Sequence, residues 1–286
     1  MVPRTIFHLF AQIAALSIFP ALILPPALIP ATPTPTPDIT LHALCQKQDG
    51  NLNTYQIDSV LLQKPVDVRV YTPPCYSPQE NKTYPVLYLL HGQSSREDQW
   101  DQLGVDEAAN SLIHAGIIQP LIIIMPREIY YLQEPSESKF GEVMLQEIVP
   151  WAEKNYSIDP AAAMHAIGGL SRGGGWALRL GLANPDKFGS VAGHSPVPFT
   201  ADLYRVSTWR RQTAEDQLPR IYLDMGLLDP YKDLARNYEV RISELSYPHE
   251  WHLNPGTHNA EYWSANMEDY LRWYDLGWQQ KIQGTE

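Results

Sequence analysis

The sequence predicts an α/β fold, a mostly parallel sheet with helices on both faces and antiparallel strands at its N-terminal edge. Three observations predict it. The runs Tyr84–Leu90 and Leu121–Met125 are almost wholly apolar, as expected of strands buried on both faces. Such runs alternate with stretches of helical period, the pattern of parallel strands joined by right-handed crossovers. Of 286 residues, about 240 remain beyond an unusual N-terminal stretch, a size that suits one α/β domain better than two.

Taken in order, Val66 to Tyr71 alternates as a strand, one of a pair expected between Cys45 and Cys75. Tyr84–Leu90 is the first buried strand. Asp106 to Ala115 reads as a helix, and Leu121–Met125 as a second buried strand stopped by Pro126. Phe140 to Tyr156 is helical in period, with Val143, Ile148 and Trp151 facing inward. Ala166-Ile167 starts a short strand leading to Gly168-Gly169, and a helix runs from about Arg172 to Ala183. Ser190–Gly193 and Ile221–Leu223 are two more strands, followed by helical stretches near 202–217 and 231–246. Trp251 to Leu253 is the last strand and Tyr262 to Trp278 the closing helix. Its Trp263, Met267, Tyr270, Leu271 and Tyr274 form a core stripe rather than a ligand box. No internal repeat interrupts this order.

The N-terminal segment stands apart. Arg4 precedes an apolar run from Ile6 to Ile29, interrupted by Pro20, Pro25 and Pro26. Residues 1–30 read as an export signal or an uncleaved membrane anchor, since the run approaches the roughly 20 residues that span a bilayer. Residues 31–40, rich in Thr and Pro, form an extended spacer, and residues 41–280 are the folded α/β domain. Both readings place the domain outside the cytoplasm, secreted or tethered to a membrane. There an even pair of cysteines, Cys45 and Cys75, is expected to form a disulfide closing a loop of about 30 residues and contributing roughly 3 kcal/mol. The formal net charge of −11, with no offsetting basic cluster, excludes a nucleic-acid partner and favours neutral substrates. Two cysteines and nine scattered histidines offer no metal-ligand spacing, and no cofactor is implied. Oligomeric state is left open.

Sites in such sheets lie at the carboxyl ends of the strands. Gly169-Leu170-Ser171-Arg172-Gly173 sits there, after a strand and before a helix, the context of a nucleophile elbow. The tight turn lifts the Ser171 hydroxyl above the sheet, and glycines are needed two positions either side because a Cβ would collide with neighbouring chain. Leu89-Leu90-His91-Gly92-Gln93 ends another strand. Its loop is placed to supply one backbone N–H of an oxyanion hole at Gln93, the other coming from Arg172. His91 itself is assigned a structural role. The order nucleophile, acid, base then puts the base late. His258, in the loop after the last strand, is preferred to His249 and to His252, which lies inside the strand and is assigned to packing. Asp229 lies 58 residues after Ser171 and 29 before His258, and is preferred to Asp224 as the acid.

These pieces carry a resemblance. From about Val66 to Trp273 the chain resembles the esterase D and feruloyl esterase-like family of the α/β-hydrolase superfamily. The matching text is Tyr84–Gly92, Trp100, Ile124-Met125-Pro126, Gly168–Ser171, Asp186–Gly189, Gly226 with Asp229, and Pro255–His258 with Tyr262-Trp263. The resemblance implies an α/β-hydrolase fold and Ser171, Asp229 and His258 as a triad. It also implies acyl transfer through an acyl-enzyme on a small-molecule or glycan-linked ester. Two departures stand out: Arg172 occupies a place usually held by a methionine-like residue, and His194-Ser195-Pro196 ends a strand where a small residue usually precedes the serine. Trp100, Tyr130, Tyr131 and His194 are the substrate-binding candidates. An acyltransferase of the mycolyltransferase type and a catalytically silent surface-displayed binding domain are the rival readings.

Overall fold

The computed structural model describes residues 48–78 and 82–283, all within one unit spanning Thr40–Glu286. The signal or anchor at 1–30, the spacer at 31–40 and Cys45 of the expected Cys45–Cys75 disulfide lie outside the described residues. Among the described residues eight strands form one sheet: β1 (Asn51–Ser59), β2 (Lys64–Thr72), β3 (Val86–Leu90), β4 (Ile122–Pro126), β5 (His165–Leu170), β6 (Ser190–His194), β7 (Arg220–Gly226) and β8 (His249–Asn254). Their order is β1-β2-β4-β3-β5-β6-β7-β8, with β1, β2 and β4 paired antiparallel and all remaining pairs parallel. The expected fold class is therefore the observed one. The hairpin forms the antiparallel edge, and the reversal of strand order beside β3 opens the crevice in which ligands of such sheets bind.

The central strands are apolar throughout because both their faces are covered. Val86, Tyr88 and Leu90 of β3, with Ile122 and Ile124 of β4, enter one core, and Leu87, Leu89, Ile123 and Met125 enter the other, as a period of two requires. The first core is closed by α3 (Phe140–Val143), α4 (Val149–Asn155), α5 (Arg172–Ala183), α6 (Asp202–Gln212) and α7 (Lys232–Glu244). The second is closed by α1 (Gln99–Gln102), α2 (Val105–His114), α8 (Ala260–Ala265) and α9 (Met267–Gln283).

Three expected helices differ from the observed ones, each for a local reason. The segment 140–156 carries a π-turn at Met144–Ile148 between α3 and α4. Pro150, which has no N–H to continue the ladder, sits in the first turn of α4. The stretch 202–217 ends its α-helix at Gln212, where the Thr213 hydroxyl donates to the Trp209 carbonyl (2.9 Å). The closing helix breaks at Asn266, whose side-chain amide donates to the Tyr262 carbonyl (2.7 Å) and whose side-chain oxygen accepts from Asn254 (3.3 Å). The stripe Met267, Tyr270, Leu271 and Tyr274 is buried, as expected of core packing. No helix among the described residues is long and apolar enough to cross a membrane.

Candidate active site

Ser171 caps the N-terminus of α5 with φ 54° and ψ −120°, a backbone conformation that non-glycine residues adopt only when their surroundings force it. The forcing contacts are visible. A Cβ on Gly169 would lie 2.3 Å from the Gly173 carbonyl carbon and oxygen, and one on Gly173 would lie 2.2 Å from the Leu90 carbonyl oxygen. Strand, turn and helix therefore approach backbone to backbone, which only glycine permits. The Ser171 N–H donates to the His194 carbonyl (3.1 Å), and its carbonyl accepts from Val197 (2.9 Å) and Gly175 (3.1 Å). The peptide that follows the serine is thus held from two sides.

The loop after β7 and the loop after β8 converge on this serine. His258 Nε2 accepts from the Ser171 hydroxyl at 2.9 Å, and His258 Nδ1–H donates to Asp229 Oδ2 at 2.8 Å. The other Asp229 oxygen accepts from the Tyr231 N–H (2.8 Å). The two loops are also stitched together: Leu228 N–H donates to the Gly256 carbonyl (2.9 Å), and the Thr257 hydroxyl to the Leu228 carbonyl (3.1 Å). Burial by itself would raise the Asp229 pKa. The His258 hydrogen bond, the Tyr231 amide, the imidazole charge and the nearby Ser195 hydroxyl outweigh it and hold the carboxyl below its usual value. Tyr231 and Trp263 stand edge-on to the His258 ring at 4.8 Å and 5.0 Å and restrict its rotation. A serine hydroxyl bonded to an imidazole that a carboxylate orients is an arrangement able to generate an alkoxide-like nucleophile.

Gly92 lies against the serine, since a Cβ there would sit 3.5 Å from Ser171 Cβ. Among the described residues neither the Gln93 nor the Arg172 backbone N–H donates a hydrogen bond, so both donors stand open beside the nucleophile. His91 is buried, donates Nδ1–H to the Gly92 carbonyl (2.8 Å) and accepts from the Glu128 N–H at Nε2 (2.8 Å). Burial lowers its pKa and keeps the ring neutral, and the Glu128 N–H at Nε2 leaves the ring proton on Nδ1. Its role is structural. No group of three or more metal-ligating side chains occurs among the described residues.

Two substrate-binding candidates do not face the cleft. Trp100 is 1% exposed and its indole N–H is spent on the Leu90 carbonyl (3.0 Å). His194 is also 1% exposed. It donates from Nδ1 to Asp224 (3.0 Å) and bonds Tyr274 through Nε2 (3.0 Å), with its ring 3.7 Å from that of Tyr270. Asp224, the rival acid, is consumed by the same buried cluster, its Oδ2 accepting from the hydroxyls of Tyr262 and Tyr270. His252 stacks on Tyr222 at 4.7 Å rather than reaching the serine. Tyr130 and Tyr131 remain at the surface and line a depression with Ile129, Leu132 and Gln133.

The residue that sequence reasoning missed is Glu128. Its carboxylate receives Arg172 Nε (2.8 Å) and Nη2 (2.7 Å) and the Trp176 indole N–H (3.0 Å) while only 2% exposed. A carboxylate two residues beyond a wholly buried strand was the available signal. The exposed Leu227, Leu228 and Tyr231, on the loop that carries Asp229, were missed as well.

A family model described as "Putative esterase" matches residues 59–274. A curated endo-1,4-beta-xylanase/feruloyl esterase of Xylanibacter ruminicola is 28% identical over 150 residues, covering 49% of this chain and 21% of that protein. The Mycobacterium tuberculosis esterase Rv1288 is 28% identical over 190 residues, covering 63% of this chain and 39% of that protein. The chain thus spans well under half the length of these relatives. Among solved structures, a ferulic acid esterase superposes with a TM-score of 0.71 at 23% identity, covering 80% of this chain and 99% of that one. The Staphylococcus aureus fluorophosphonate-binding serine hydrolase FphF superposes with a TM-score of 0.69 at 19% identity, covering 79% of this chain and 99% of that one. Their α/β-hydrolase architecture is the one described above, and with three quarters of its length matched the chain belongs to the Putative esterase family.

Proposed function

We propose that this protein is a serine carboxylic-ester hydrolase working through an acyl-enzyme, with Ser171 as nucleophile, His258 as general base and acid, and Asp229 as the orienting carboxylate. The observation that carries the reading is the relay from Ser171 through His258 to Asp229, at 2.9 Å and 2.8 Å, on a strained elbow. In the reaction Ser171 Oγ attacks the ester carbonyl carbon while its proton passes to His258 Nε2. The carbonyl π pair becomes an oxyanion held by the Gln93 and Arg172 N–H groups. Collapse expels the alcohol, which takes the proton from His258. Water, activated by the same imidazole, then releases the acid.

The rim supports a substrate class. Leu227, Leu228, Tyr231 and Tyr130 are exposed, and Tyr131 half-buried, on loops tied to His258 or to Arg172, whose Nη2 donates to the Gln133 carbonyl (2.7 Å). Such a rim favours neutral esters with an apolar or aromatic acyl group, consistent with the feruloyl esterase names among the relatives. The apolar run before residue 30 and the Cys45–Cys75 pair support action outside the cytoplasm, secreted or tethered.

The test is turnover of p-nitrophenyl acyl esters and methyl ferulate by the full chain beside Ser171→Ala. Parent activity should fall about 10⁴-fold or more in the variant. Equal rates in the two proteins would remove Ser171 as nucleophile. Product analysis with an added sugar acceptor distinguishes hydrolysis from acyl transfer.

A further inference from the structure

We propose that Glu128 is a positioning residue that sets both amides of the oxyanion hole, through Arg172 on one side and His91 on the other. The inference rests on the assignment of the Gln93 and Arg172 N–H groups as oxyanion donors.

Glu128 lies just beyond β4, at the carboxyl edge of the sheet and between the two donor segments. On one side its carboxylate takes the guanidinium of Arg172 in a two-point fork, a geometry that fixes direction as well as distance. The Arg172 side chain is only 11% exposed, and the Gln133 carbonyl and the Phe199 ring (5.4 Å) occupy its remaining sides. With the Ser171 carbonyl already bonded to Val197 and Gly175, the fork immobilises the Cα that follows, and the Arg172 N–H between these anchors loses its freedom to turn.

On the other side the Glu128 backbone N–H holds His91 Nε2, which leaves His91 Nδ1–H to bond the Gly92 carbonyl. That carbonyl and the Gln93 N–H belong to one planar trans peptide and point in opposite directions. Holding the oxygen against His91 therefore aims the Gln93 N–H away from it. The Gly92 N–H, bonded to Gln99 Oε1 (2.8 Å), pins the preceding peptide. A single residue thus couples two donors that are 79 positions apart in the chain.

The experiment is a double-substitution cycle on the full-length protein with Glu128→Gln and Arg172→Met. Glutamine keeps the shape and can still accept from Trp176 and Arg172 Nη2, but its amide faces the Arg172 Nε–H, donor against donor. We expect kcat on p-nitrophenyl butyrate to fall about tenfold with KM within about twofold, because full loss of one donor typically costs 10²–10³. A trifluoromethyl ketone, which adds Ser171 Oγ to its carbonyl and leaves an oxyanion in the hole, should lose affinity by a similar factor. In the presence of R172M, E128Q should change kcat by less than about twofold, since the carboxylate's route is already removed and the backbone route through His91 is kept by glutamine.

A lowered melting temperature with unchanged kcat would make Glu128 a purely structural residue and overturn the proposal. An equal kcat loss with and without R172M would also overturn it. Should E128Q not fold, Arg172→Lys, which keeps the charge and abolishes the fork, must show the same loss of kcat at constant KM. Parent turnover that does not depend on Ser171 would sink the esterase reading itself, and is seen separately in the Ser171→Ala control.

Discussion

Asparagine in place of Asp229 changes one oxygen to an amide, and the surroundings dictate which way that amide points. One Asp229 oxygen accepts from the Tyr231 N–H at 2.8 Å, so the asparagine carbonyl must take that position to leave no buried donor unpaired. The NH₂ then faces His258 Nδ1, which has to become an acceptor, and the ring proton moves to Nε2. There it points at Ser171 Oγ, donor toward the atom whose proton it should receive. A tautomer error of this kind in a Ser-His-Asp arrangement lowers kcat by about 10⁴, equivalent to about 5 kcal/mol of activation free energy. KM should hardly move, because no substrate contact is lost. The assay is steady-state hydrolysis of p-nitrophenyl butyrate at pH 7.5, with circular dichroism to establish folding. A folded Asp229→Asn protein retaining more than a tenth of parental kcat would refute the assignment of Asp229. The lowered Asp229 pKa adds a stability signature. A carboxyl whose folded pKa lies below its unfolded value stabilises the fold above about pH 4 and loses that contribution as pH falls through the folded value. The melting-temperature gap between parent and variant should therefore shrink as the pH falls below about 4.

Asp224→Asn should show the opposite division. Its carboxylate is fully buried and serves His194, Tyr262 and Tyr270, so thermal stability should fall by about 2–4 kcal/mol while kcat per folded molecule stays within severalfold of the parent; a collapse of kcat without loss of stability would return Asp224 to the site. Asp202, at the start of α6, is buried with Arg179 Nη1 3.3 Å away but without hydrogen-bonding geometry, and burial raises its pKa to about 7. The folded carboxyl keeps a proton that the unfolded chain releases above about pH 4, so its contribution to stability declines between about pH 4 and 7 and is flat beyond. Asp202→Asn removes that decline, and its melting temperature relative to the parent should rise from pH 5 to pH 8, by about 2–4 °C for each kcal/mol involved; a difference independent of pH would refute this.

Much of this molecule was legible in the sequence because the signals are local. Strands covered on both faces need unbroken apolar runs, and Val86–Leu90 and Ile122–Pro126 carry them. The elbow needs glycine where chain touches chain, and Gly169 and Gly173 stand at those positions. A base must hang in a loop past the last strand, which left few histidines to choose from. Where the chain departs from expectation, the cause is a side chain competing with the backbone, as at Asn266 and Thr213, and such competition depends on neighbours that periodicity does not register.

The sequence by itself determined the strand–helix alternation, the antiparallel edge and the position of the strained serine. The sequence preferred Asp229 to Asp224, and the tertiary structure showed the reason: Asp229, in the loop past β7, meets His258, while Asp224, inside the strand, is held by His194, Tyr262 and Tyr270. The tertiary structure alone took Trp100 and His194 out of the cleft and put Glu128 between Arg172 and His91. Burial and hydrogen-bond partnership arise from segments far apart in the chain, and a side chain's chemistry is assigned by those partners rather than by its position along the sequence.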